Sequence, residues 1–173
     1  HQDWLWLRST FTVNTVAEDD TYASTDCTDS RLSAAITRFR RWWLLDEEGC
    51  PAIKCYLSSA GVAGENYLTP LTWSQFRDIY KRGTQTSSQP QHVAVDPQNN
   101  LVLGPKPSAV YVVSGEYQMS AQILAADADT PEMRSDFHSL IWRYAMQMYA
   151  GHQAAPEAMA RAISEGNRQM RQL

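Results

Sequence analysis

From Thr10 to Asn14 polar and apolar residues alternate, Thr-Phe-Thr-Val-Asn, the two-residue period of a strand with one buried face. Ahead of it stands the apolar block Trp4-Leu5-Trp6-Leu7, and behind it, from Ala17 to Ser30, the chain turns acidic and polar. A second strand is predicted over Ile36 to Leu45, with Arg38, Arg40 and Trp42 on one face and Phe39, Arg41 and Trp43 on the other. Asp46-Glu47-Glu48-Gly49 supplies turn chemistry, so Ala52 to Ser58 is expected to return as the partner strand of a hairpin. Thr72 to Arg82 reads as a short helix. Thr72 caps it, Gln75 completes a capping box, Trp73, Phe76, Ile79 and Tyr80 recur at helical spacing, and Gly83 ends it.

His92 to Val95 and Leu101 to Leu103 are expected as short strands around the turn Asp96 to Asn100, and Val110 to Leu124 as a long strand with a break at Gly115. Then the texture changes. Asp127, Asp129, Thr130 and Pro131 look like a helix entrance, and Phe137, Leu140, Ile141, Tyr144, Ala145 and Met148 mark one face of a helix reaching about Tyr149. Gly151 closes it, and Pro156-Glu157 opens another in which Ala158, Met159, Ala162, Ile163 and Met170 continue to the C-terminus. The order predicts an α+β fold: a mostly antiparallel β-sheet body with one short central helix and two C-terminal helices. In domain terms this is a β-rich body over 1–130, with its helix near 72–82, and a C-terminal helical segment over 131–173. That segment is either part of the same domain or a docking extension.

Charge narrows the function. Fifteen Lys and Arg against nineteen Asp and Glu give a net charge of −4, unlike the basic surface of a protein that grips nucleic acid by its phosphates. The distribution is uneven. Residues 1–30 carry one base against six acids, residues 31–83 eight against five, residues 84–131 one against four, and residues 132–173 five against four. The apolar share of 43% is enough for a real core, and six Trp and eight Tyr suit both a core and the centre of an interface. Cys27, Cys50 and Cys55 show no CxxC spacing and read as reduced structural thiols. No stretch approaches the roughly 18 consecutive apolar residues of a bilayer span, and the N-terminus lacks the sections of a secretory signal. The chain starts at His1 without an initiator Met, as expected of a processed, tagged or incomplete end.

Three constellations invite a chemical reading. Asp127, Asp129, Glu132, Asp136 and His138 could offer oxygen ligands to Ca²⁺ or Mg²⁺ with a histidine to move protons, which would make a metal-dependent hydrolase using Asp127, Asp129 and His138. The bland reading, acids capping a helix, is preferred, because the glycine and distal Glu of a calcium loop are missing. Arg38, Arg40 and Arg41 beside Trp42 and Trp43 have the ingredients of a carbohydrate- or nucleic-acid-binding module, but the arginines alternate between faces and build no single groove. No GxSxG, HExxH, GxxxxGK[ST] or GxGxxG motif occurs, so neither an enzyme nor a cofactor is expected.

Several segments, in order, resemble bacteriophage head-to-tail adaptor (connector, head-completion) proteins: Trp4 to Leu7, Leu71 to Tyr80, Leu101-Val102-Leu103-Gly104-Pro105-Lys106-Pro107, Tyr111, Gly115-Glu116-Tyr117, and Ala126 to Pro131 leading to Phe137 to Ile141 and Ala145. Members of that family carry an N-terminal helical portion, most of which the resemblance implies is missing ahead of His1, and often a Pro where this chain has Met133-Arg134-Ser135-Asp136. The resemblance implies a structural virion protein of the neck, made in the host cytoplasm. Its subunits form a ring, twelve-fold in similar proteins, beneath the portal protein, extend the DNA channel and receive tail proteins (nozzle, fibre or tail tube). DNA passes without specific binding. On this reading the helix from Pro156 to Leu173 docks on the portal through Met159, Ile163 and Met170 as apolar contacts and Arg161 and Arg168 as polar ones. Trp42, Trp43, Arg38, Arg40, Trp73 and Phe76 become candidates for contacts between copies. Acidic surfaces are candidates for the channel, basic ones for subunit and portal contacts.

Overall fold

The protein was analysed as a computed structural model that describes residues 4–153 and 155–171. Its chain divides into two compact units, His1–Ala121 and Gln122–Leu173. In chain order the elements are β1 (Arg8–Asn14), β2 (Thr21–Tyr22), β3 (Thr28–Asp29), β4 (Ala34–Ala35), β5 (Arg41–Trp43), β6 (Lys54–Leu57), β7 (Asn66–Tyr67), β8 (Thr69–Pro70), α1 (Trp73–Tyr80), β9 (His92–Val95), β10 (Leu101–Gly104), β11 (Tyr111–Gln118), α2 (Ser139–His152) and α3 (Pro156–Met170). The fold is α+β with mostly antiparallel sheet, one short central helix and two C-terminal helices.

Strand β1 keeps the predicted alternation: Ser9, Phe11 and Val13 point inward, Thr10, Thr12 and Asn14 outward. It pairs along its whole length with β11, from Arg8 opposite Gln118 to Asn14 opposite Val112. The buried Thr15 side chain prolongs this ladder by accepting from the Tyr111 N–H at 2.8 Å. The other edge of β11 is shared, β6 covering Tyr111 to Ser114 and β5 covering Glu116 to Gln118. The hairpin expected between 36–45 and 52–58 is thus corrected. The two segments meet only at the bridge Leu45–Pro51 and the Ala52 N–H to Leu44 carbonyl bond; β5 pairs with β11, and β6 lies between β11 and β7. The strand predicted from Ile36 starts only at Arg41.

Gly115 lies opposite Phe11, between the β5 and β6 contacts, and does not break β11. A Cβ there would stand 2.6 Å from Ile53 Cδ1 and 3.1 Å from Phe11 Cε1, so the glycine exists for close approach to the core. Around it Phe11, Phe39, Trp42 and Tyr117 form one aromatic cluster, with Phe11 and Trp42 edge to face at 4.7 Å.

The second sheet runs β2-β10-β9-β8, with β8 parallel to β9. Every residue of β10 is buried, as suits its central place. Helix α1 packs Phe76 on Ala94 and Val102 of this sheet. The expected cap is present: the Thr72 hydroxyl accepts from the Gln75 N–H, and the Gln75 side chain accepts from the Thr72 N–H at 3.0 Å. At the far end Lys81 reaches both carboxylate oxygens of the buried Asp20, at 2.9 and 2.8 Å, so a cation sits at the negative pole of the helix.

A buried carboxylate fastens β3 to the core. Asp29 accepts from Ser9 Oγ at 3.0 Å, from the Tyr117 hydroxyl at 2.6 Å and from the N–H groups of Arg31 and Leu32. Burial alone would raise its pKa, but these four donors outweigh burial and hold it below the usual carboxylate range. Burial first, and then the neighbouring carboxylate, push the Tyr117 phenol up. Because Asp29 is depressed in the folded chain, its contribution is complete above its unfolded value of about 4 and disappears as pH falls through the folded value. Asp29→Asn presents an amide to donors that need an acceptor and is expected to cost about 2–3 kcal/mol at neutral pH. Urea unfolding between pH 7 and pH 2 checks this: the substituted chain should lose stability more gradually with acid than the parent.

Candidate functional site

Helices α2 and α3 fold back on each other as a hairpin. Pro156 and Glu157 open α3, a residue without an N–H and an acid at the positive pole. Leu140 and Ala150 of α2 and Ala162 of α3 are buried. The sequence places Leu140 on one face with Ile141, Tyr144 and Met148, but the structure separates them. Leu140 turns inward while Ile141, Trp142, Tyr144, Met146, Met148 and Tyr149 are all exposed, Met148 to 79% and Tyr149 to 67%. Over its fourteen residues α2 carries one arginine and one histidine among apolar and small polar side chains. It is therefore apolar on its outward as well as its inward side, the composition of a helix that is covered on all sides.

Arg143 sits on the α3 side of α2. Its guanidinium is ion-paired with Glu165, whose other oxygen accepts from Arg161 Nε at 3.1 Å. Its Nε is buried and lacks an acceptor among the described residues. Beside this network a groove of about 480 Å³ opens between the helices, with Trp142, Met146, Ala158 and Ala162 as apolar lining and Arg143 and Arg161 among its charged residues.

The residues proposed for the portal divide by position on α3. Arg161 and Arg168 are exposed, Met159 is at the edge of exposure, and Ile163 and Met170 are partly buried. Gln172 and Leu173, where the helix is expected to end, lie outside the described residues.

The candidate subunit contacts separate further. Trp42 and Phe76 are core residues, because Trp42 closes the aromatic cluster and donates to the Asn99 carbonyl at 2.9 Å while Phe76 anchors α1. Trp73 is partly buried and stacks on Phe76. Trp43 is partly buried between two guanidiniums, Arg8 at 4.6 Å and Arg41 at 4.3 Å. Arg8 is in turn held by Glu116 and by Glu47. With its neighbourhood filled by arginine, Trp43 offers no open stacking platform for a sugar or a base. Arg38 donates twice to the Ser120 carbonyl, at 3.1 and 2.9 Å, and Arg40 is exposed.

Residues 127–138 are not a helix entrance: only a single turn, Ser135–Phe137, precedes α2. Asp129 closes a local turn by accepting from the N–H groups of Ala125 and Ala126, which hold its carboxyl below the usual range. Arg134 pairs with Asp136, and His138 Nε2 lies 2.8 Å from the Met133 carbonyl. Among the described residues no three His, Cys, Asp or Glu side chains converge as metal ligands, and Asp127, Asp129 and His138 do not come together as a site.

With these surfaces in view, a family model described as the SU10 adaptor protein matches residues 2–173. The chain belongs to the SU10 adaptor protein family. That family is one of phage head-to-tail adaptors, structural proteins of the virion. No curated protein matches the chain. In this SU10 adaptor the strongest surface feature, the outward apolar side of α2, escapes a reading that looks for one apolar face per helix. The signal was present in the scarcity of charge along Ser139–His152. Among the described residues no helix is long and apolar enough to cross a membrane.

The Arg143–Glu165 pair is the polar tie within the hairpin. Glu165→Ala leaves Arg143 without its carboxylate and is expected to cost about 1–2 kcal/mol, between exposed and buried pairs, because a third of the Glu165 side chain stays in water. Thermal unfolding followed by the helical circular-dichroism signal reads the effect.

Proposed function

We propose that this SU10 adaptor is a ring-forming subunit of the virion neck. Twelve copies sit beneath the portal, prolong the channel through which DNA leaves the head, and present the surface on which nozzle, fibre or tail-tube proteins assemble. The observation that carries the reading beyond the family match is α2, a helix with exposed apolar side chains from Ile141 to Tyr149. Such a surface is used by association rather than by turnover.

On this reading α3 carries the portal contact. Arg161 and Arg168 are exposed on it, Met159 is at the edge of exposure, and Ile163 and Met170 are partly buried. Trp43 with its arginines, Arg38, Arg40 and Trp73 with α1 are the remaining subunit-contact candidates. The net acidic stretches 1–30 and 84–131 suit a wall past which DNA slides, since phosphates find little to hold them there. The protein is made in the host cytoplasm and works in the particle.

Electron microscopy of particles tests the reading directly. Density for this chain should appear between head and tail with the rotational symmetry of the portal, and a neck without it would overturn the assignment. The double substitution Arg161→Glu and Arg168→Glu is expected to weaken binding to isolated portal at least tenfold, with the loss growing at low salt. A binding titration at two ionic strengths measures it.

A further inference from the structure

After β11 the chain has no helix or strand from Met119 to Arg134, and both ends of this stretch are pinned. At the first end the Met119 N–H donates to the Leu7 carbonyl at 2.7 Å, and Arg38 donates twice to the Ser120 carbonyl. At the second, His138 Nε2 lies 2.8 Å from the Met133 carbonyl. Between the pins one side chain gathers the chain into a loop. Gln122 donates through Nε2 to the Thr130 carbonyl at 3.3 Å and accepts through Oε1 from the Glu132 N–H at 3.0 Å, so residues 122–132 close on themselves. Inside the loop Asp129 makes a second, smaller closure by accepting from the N–H groups of Ala125 and Ala126 at 2.7 and 2.8 Å. Every residue from Ile123 to Thr130 is exposed, Ile123 to 85%, so the loop is held by hydrogen bonds and not by burial.

We propose that residues 122–132 are a latched strap that sets the length of chain between the two units. Closed, the ends of the strap stay within reach of the single side chain of Gln122. Open, the same residues extend to roughly 33 Å. The latch is weak by construction. A hydrogen bond made in water shifts an equilibrium by only about two- to tenfold, because water competes for both partners. Opening stays local. The apolar cluster of the first unit runs from Leu7 to Met119, and the buried Phe137, Leu140, Ala150 and Ala162 of the second all lie beyond Met133, so the strap can lengthen while both interiors remain intact. The released length lets the exposed apolar side chains of α2 reach a covering surface before or after the β-rich unit is seated. The strap is a property of the free chain, and it can fail while the adaptor assignment stands.

Pulsed electron-spin distance measurements test it on the full chain, with nitroxide labels at Ser120→Cys and Ser135→Cys in a Cys50→Ser background, since Cys27 and Cys55 are buried. The parent is expected to show one narrow main distance. Gln122→Ala removes the latch alone and should raise the share of longer distances at least threefold, with the circular-dichroism melting curve unchanged. Asp129→Ala frees only the inner closure and should raise that share less. Replacing residues 123–131 by Gly-Gly-Ser in the Gln122→Ala chain removes the spare length and should abolish the longer distances. Hydrogen exchange gives a second readout that does not need the shortened chain to fold: the Glu132 amide should exchange at least threefold faster in Gln122→Ala than in the parent, while the amides of β11 keep their rates. A parent whose distances are already broad, a Gln122→Ala distribution equal to the parent's, longer distances that survive the shortening, or an unchanged Glu132 amide overturns the strap.

Discussion

The β-rich unit depends on β11 being paired along both edges. On one side it takes all of β1; on the other it takes β6 and then β5, segments that reach it from far back in the chain. Closing loops of that length has an entropic cost, and it is met where apolar surface is buried at the crossing. Phe11, Trp42 and Tyr117 meet there, and Gly115 lets the Phe11 ring and Ile53 approach the strand closely. The same strand supplies Tyr117 to the buried carboxylate of Asp29, so the hydrophobic crossing and the main polar anchor share one element. The second sheet is a simpler construction. A fully buried central strand, β10, carries α1, and Gly104 leaves room for the rings of Tyr80 and Phe76.

What the sequence made legible was local. Alternation in Thr10–Asn14, the Thr72/Gln75 box and the α+β order all appear in the structure because period and capping are decided by neighbours within a few residues. What it concealed was partnership between distant segments. The acidic turn at 46–49 argued for pairing 36–45 with 52–58, and the turn does form, yet the two flanking strands prefer β11 because its inner face buries Trp42 and Cys55. Asp29 shows the same limit. An acid in a polar loop looks solvated, and only the approach of Ser9 and Tyr117 from other strands makes it an interior group.

The exposed apolar surface was legible to about the same depth. Aromatic content pointed to both core and interface without assigning residues to either. Trp42 and Phe76 went to the core, and the exposed set came instead from α2. One-face periodicity is a sound guide for a helix that packs on one side and meets water on the other. It misassigns Ile141, Tyr144 and Met148 because α2 has apolar residues on every side and so has no polar side to set the phase. Arg143 was missed for another reason. An arginine in a helix of mixed composition looks like a surface charge until Glu165 of the next helix is seen to hold it.

The two units bury very different amounts of apolar side chain, which has a thermodynamic consequence. Among the described residues the buried apolar side chains of Gln122–Leu173 are Phe137, Leu140, Ala150 and Ala162, two of them alanine, whereas the β-rich unit encloses a continuous cluster running from Leu7 to Met119. Most helical stability in proteins comes from packing rather than from propensity, so a hairpin with so thin an interior draws much of its order from whatever covers α2. On the proposed reading that cover is supplied by assembly, and mass action then links the two: each contact made in the neck also stabilises the hairpin that makes it. The β-rich unit holds its shape through its own core. On that same reading the helical unit presents apolar side chains before assembly and gains order as the ring is completed, an arrangement that a fully self-sufficient hairpin with a polar outer side would not allow.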